Sequence, residues 1–141
     1  MNIRQTLFAA IGASLLMILP TAAQVAGNGM RRFPRYNPAT EMTVTGTVED
    51  VQQRTRGGGR GGIHLTVKTK DGMLDVHLGP SRFLAEKQFS VAKGDVLEVT
   101  GSKVPYEGGE ALVAREVKKG GETLTLRDAS GIPLWSRGRR P

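Results

Sequence analysis

The chain has no cysteine. An exported protein without disulfides cannot be a stapled miniature, so its stability must come from packing. The same absence excludes a thiolate zinc site, an iron–sulfur cluster, covalently attached haem and a lipid anchor on a cysteine. Histidine is scarce, with two in 141 residues, and aromatic residues make up only 5%. Neither GxxxxGK[ST] nor a strand–GxGxxG–helix unit is present, so the usual phosphate cradles are missing. None of Ser81, Ser90, Ser102, Ser130 or Ser136 sits in a nucleophile elbow. No paired carboxylates suggest acid–base work. These absences together describe a protein that is not an enzyme.

Long apolar runs are also missing, except near the start. Arg4 precedes an almost wholly apolar or small stretch from Thr6 to Leu19, and Pro20-Thr21-Ala22-Ala23 follows. A charged start, a short apolar core and small residues before the cut site describe a secretory signal peptide over residues 1–23. The run is too short for a comfortable membrane span of about 20 residues. Cleavage would leave a periplasmic or secreted protein without a transmembrane segment. Residues 24–40 read as a flexible linker, 41–135 as one domain and 136–141 as a disordered basic tail. The net charge is +7. Its arginines cluster at Arg31, Arg32 and Arg35, at Arg54, Arg56 and Arg60, and at Arg137, Arg139 and Arg140. Such clusters point to an anionic partner or surface.

What is present most clearly is a hairpin, Ile63 to Pro80. Asp71-Gly72 lies between two alternating runs and predicts a type I′ turn with these two residues as its loop. Lys70 then faces Met73, Lys68 faces Asp75, Thr66 faces His77 and Leu65 faces Leu78. One face carries Leu65, Val67, Leu74, Val76 and Leu78, and the other carries His64, Thr66, Lys68, Asp75 and His77.

Ahead of the hairpin, Met42 to Val51 alternates as strand one, with Gly46 permitting a bend between sheet faces. Gln52 to Gly62, with five glycines and three arginines, reads as a mobile loop. Ser81 is expected to cap a short helix through Phe89, with Phe83 and Phe89 plugging the core. Lys93-Gly94-Asp95 turns into strand four, Val96 to Val104. A second hairpin turn over Tyr106 to Glu110 leads to strand five, Ala111 to Val117. Thr123 to Arg127 forms a further short strand, and Trp135 packs as a lid on the core. The fold class is therefore all-β, a small five-stranded Greek-key barrel with one helix between strands three and four, the OB layout.

VTGTVEDV, KGDVLEVTGSKV and LTLRDASGIPLW resemble the small exported bacterial OB-fold (BOF) proteins. The hairpin and HLGPSRFL are similar to a domain of magnetosome-associated proteins, the MamS/MamX type. The first resemblance implies an exported ligand-binding or stress-associated module without catalytic residues. The second implies a setting in which partners carry haem on cysteine motifs, which this chain lacks.

OB-folds bind ligands on the outer face of strands two and three and the loops that frame it. Here that surface is His64, Thr66, Lys68, Asp75 and His77, with Arg54, Arg56 and Arg60 on one side and Tyr106 on the other. Its basic character favours an anionic ligand, an anionic surface or a protein partner. The first alternative is a divalent metal on His64 and His77, diagonal neighbours about 7–8 Å apart in the expected register, with Asp75 adding an oxygen. The second is an oligonucleotide, although single-strand binders stack bases on aromatic side chains and only Tyr106 is available. No resident cofactor is expected otherwise.

Overall fold

The computed structural model describes residues 34–56 and 60–137, with Arg56 and Arg60 in backbone only. The expected signal peptide, Arg31, Arg32, Arg139, Arg140 and glycines 57–59 lie outside them. Six strands and one helix follow in order: β1 (Glu41–Arg56), β2 (Arg60–Thr69), β3 (Gly72–Pro80), α1 (Ser81–Glu86), β4 (Val96–Tyr106), β5 (Gly109–Lys119) and β6 (Glu122–Thr125). β1 is long enough to serve two partners. Its first half pairs with β4 from Glu41 to Thr47, and its second half with β2 from Gly46 to Arg56. β2 pairs with β3, β4 with β5, and a parallel seam between β3 and β5 closes the five-stranded barrel. β6 adds to β5 beyond that seam.

The expected all-β barrel with a helix after strand three is what the chain forms. Alternation drives it: Leu65, Val67, Val76, Leu78, Leu97, Val99, Leu112 and Val117 are all 1% exposed or less. Full burial of each such side chain stabilises by about 1.5–3 kcal/mol. Phe83, Leu84 and Phe89 join this core from α1 and the segment after it. Trp135 is half-buried against it, 5.4 Å from Phe83 between ring centres. Gly79 makes room for that indole, since a Cβ there would lie 2.7 Å from the ring.

Three local expectations need correction. The β2–β3 loop is Lys70–Asp71, so Thr69 pairs with Gly72, Lys68 with Met73, Thr66 with Asp75 and His64 with His77. A type I′ turn over Asp71-Gly72 needs positive φ at both, but only Gly72 has it (+119°). Thr69 instead closes the turn, its Oγ1 accepting from the Asp71 N–H at 3.2 Å and donating to the Gly72 carbonyl at 2.9 Å. The net displacement is even, so each residue keeps its expected face. The second correction concerns Gln52–Gly62, whose described residues are strand: Arg54 pairs with Gly62 and Arg56 with Arg60. Third, Pro80 rather than Ser81 caps α1. The Ser81 hydroxyl accepts from Gln53 Nε2 at 3.0 Å instead.

Residues 36–40, within the segment expected as linker, touch the barrel. Asn37 caps a short 3₁₀ turn and its N–H donates to the buried Ser102 Oγ at 2.9 Å. Tyr36 donates to Glu41, which also receives a bidentate pair from Arg115 at 2.8 and 3.0 Å. Arg115 is the extra residue of a bulge in β5, which turns it towards β1.

Candidate functional site

The corrected register brings the two histidines directly opposite one another. Gln52, His64 and His77 form one row across β1, β2 and β3. Just past it, Leu78 is an extra residue on β3, and bulges of this kind re-aim their neighbours. The imidazole centres lie 4.1 Å apart, tilted by 55°. Tyr106, the last residue of β4, meets His77 edge-on at 4.5 Å. Arg54 lies two positions beyond Gln52 on β1. Its guanidinium makes a long hydrogen bond of 3.5 Å to the Tyr106 hydroxyl and lies 3.9 Å from the Glu107 carboxylate.

The electrostatics of this corner keep both imidazoles neutral at pH 7. Burial is the main cause at each. His77 is pushed down to about 4 by burial, then by His64, Arg54 and Arg127. His64 is lowered by burial and Arg54, against the opposing pull of Asp75 and Glu107. A neutral imidazole offers one N–H donor and one acceptor nitrogen.

A pH dependence follows from His77. Its unfolded value near 6.5 lies above its folded one, so the unfolded chain takes up the proton first as pH falls. The associated stability is complete above about pH 6.5 and is lost towards pH 4. After discounting for partial exposure, about 1–2 kcal/mol should disappear across that window. Urea denaturation at pH 7 and 4.5 checks it, and His77→Gln should flatten the dependence.

Of the residues expected at the site, Arg54, His64, His77 and Tyr106 come together. Thr66 and Asp75 pair one row away, and Lys68 lies a further row towards the turn, opposite Met73. Arg56 and Arg60 face each other at the end of the β1–β2 ribbon, where their side chains lie outside the description. Among the described residues, no three or more His, Cys, Asp or Glu side chains group as a metal site. Two imidazoles holding one tetrahedral ion at 2.0–2.1 Å need ring centres about 5 Å apart. The rings here are closer than that and touch each other.

Sequence reasoning missed Arg127. Its guanidinium donates to the carbonyls of Leu78 (3.2 Å) and Ala114 (2.6 Å) and lies 4.8 Å from the centre of the Trp135 ring. Burial lowers its pKa to about 10. The only trace in the chain is a lone charge after the alternating Leu124 and Leu126, which by itself reads as solvated.

A model of the MamS/MamX magnetosome protein family matches residues 40–124, more than half of the chain. The chain belongs to that family. The match spans β1 through most of β6 and so contains the barrel and its histidine corner. Among relatives, Magnetosome protein MamS of Magnetospirillum gryphiswaldense is 25% identical over 88% of this chain and 70% of its own length. Magnetosome protein MamS of Paramagnetospirillum magneticum is 27% identical over 71% of this chain and 57% of its own. Among solved structures, a crystal structure of a TiaS–tRNA–ATP complex aligns with a TM-score of 0.42. That alignment has 18% identity and covers 64% of this chain and 20% of the other. Among the described residues of this MamS/MamX member, no helix is long and apolar enough to cross a membrane.

Proposed function

We propose that this member of the MamS/MamX family is an exported, non-catalytic module of OB type. It binds an anionic ligand, free or displayed on a protein partner, at the corner formed by Arg54, His64, His77 and Tyr106. The observation that carries this reading is the convergence of a half-exposed guanidinium, a phenol and two neutral imidazoles on one partly buried surface. A cation set among N–H and O–H donors suits carboxylate or phosphate groups. The row continues in backbone register towards Arg56 and Arg60, and the chain's charge of +7 favours encounter with anions. The apolar stretch in residues 1–23 supports export to the periplasm or medium. Kinship with magnetosome proteins supports a magnetosome-associated setting.

Calorimetric titration with inorganic phosphate and with citrate tests the reading, at 50 and 200 mM salt. The expected result is binding that weakens with salt and falls at least tenfold in Arg54→Gln, about 1.4 kcal/mol or more. Equal affinity in wild type and Arg54→Gln would overturn it.

A further inference from the structure

The turn that joins β4 to β5 is unusual at one residue. Glu107 and Gly108 are its central pair, and both have positive φ, +44° and +80°. Such turns favour asparagine, aspartate or glycine at both places, because a side chain in the left-handed region crowds its own carbonyl. A glutamate there is held against local preference. Its carboxylate lies 3.9 Å from the Arg54 guanidinium, and both side chains are about half exposed, at 54% and 49%. A pair so loose and so wet is weak and easily exchanged. Backbone strain kept at a non-glycine residue is a recognised mark of a working position.

We infer that Glu107 is a built-in competitor for the anion site. Its carboxylate occupies Arg54 when no ligand is bound and is displaced when an external anion arrives. The inference rests on the corner being an anion site. Within that reading Glu107 sets the threshold an anion must exceed to bind. A tethered carboxylate competes at an effective concentration of order millimolar. A single free carboxylate offers Arg54 nothing that Glu107 does not already provide. An anion with two or more negative charges, or with several acceptor oxygens, also engages the neighbouring Tyr106 hydroxyl and the imidazole N–H groups. The site therefore selects phosphate-like or polycarboxylate groups over simple carboxylates.

Glu110 provides an internal control. It lies on β5 three residues farther along, is exposed, and pairs with Lys103 at 2.8 Å rather than with Arg54. Glu107→Gln and Glu110→Gln change the net charge equally, so long-range attraction is the same in both. Calorimetric titration compares wild type with these two variants, using phosphate, citrate and acetate at 50 mM salt. The expected result is three- to tenfold tighter binding of phosphate, citrate and acetate alike in Glu107→Gln and less than twofold change in Glu110→Gln. If wild type binds in an Arg54-dependent manner but the two glutamine variants behave alike, the competitor role is overturned and the anion site stands. If neither wild type nor Glu107→Gln binds any of the three anions, both fall together.

Discussion

Gly46→Val should leave a chain that barely folds. Gly46 is one of two residues of β1, with Thr47, registered with a partner on both sides: it faces Thr69 on β2 and Leu97 on β4. A Cβ at this position would sit 2.5 Å from the Lys68 carbonyl oxygen and 2.6 Å from Val67 Cγ1. The second contact is a side chain that can rotate, but the first is backbone inside a paired strand. Relief requires β1 and β2 to separate where β1 passes from its pairing with β4 to its pairing with β2. Overpacking of cores costs about 1–3 kcal/mol, and with an unyielding backbone partner we expect roughly 3–5 kcal/mol, a large part of a domain's ordinary 5–15 kcal/mol. Urea denaturation followed by circular dichroism measures it. Gly109→Ala is the control: its nearest neighbour would be 3.9 Å away, so the change should stay within about 0.5 kcal/mol. Equal stability of the two variants would refute the close-approach account.

Arg127→Met should be nearly as damaging, for a different reason. The β3–β5 pairing that closes the barrel consists of three residue pairs, Asp75 with Ala111, Val76 with Leu112 and His77 with Val113. The next carbonyls along, those of Leu78 and Ala114, both accept from Arg127 Nη1. The guanidinium thus continues the seam where the backbone ladder stops, with the Trp135 ring lying over it. Methionine fills similar volume but donates nothing, leaving two carbonyls without this donor and the indole without its cation. A hydrogen bond from a charged donor contributes about 1.5–3 kcal/mol, and the cation–π contact about 0.5–2 kcal/mol. A loss of roughly 3 kcal/mol is expected in urea denaturation, with Arg127→Lys recovering only part because lysine lacks the planar fork. A loss below about 1 kcal/mol would show that the guanidinium does not join the seam.

The faces of the central hairpin were legible because parity is robust: any even slip leaves Leu65, Val67, Val76 and Leu78 inside and His64, Thr66 and His77 outside. Its register was not, because Asp-Gly serves more than one turn. Whether one or both residues take positive φ depends on a hydroxyl two positions earlier, Thr69. The histidine pair was therefore placed on the right face but one step too far apart. Gly46 reads as a bend in the sequence, and the structure gives its reason as close approach to the Lys68 carbonyl. Gln52–Gly62 was not readable as strand, since glycine and arginine carry little intrinsic β preference and pairing across the ribbon overrides composition. Tyr106 could be named only as a framing residue, because its contact with His77 joins strands distant in sequence. Arg127 left no local signal, since its role depends on two carbonyls contributed by β3 and β5.

The shortness of the seam has a consequence for how the protein comes into being. Every other junction of the barrel except β1 with β4 links strands that follow one another in the chain, and such local contacts form early. The seam joins residues 75–77 to residues 111–113 in parallel, with a helix and a whole strand intervening. Closing that long loop is among the slower events available to the nascent domain. His77 belongs to the last seam pair, and the Tyr106 ring that meets it arrives with β4. The corner of His77 and Tyr106 is thus absent from chains in which this seam has not formed, and it is complete only once the barrel has closed. On the proposed anion-binding reading, binding at this corner would report that the barrel has closed.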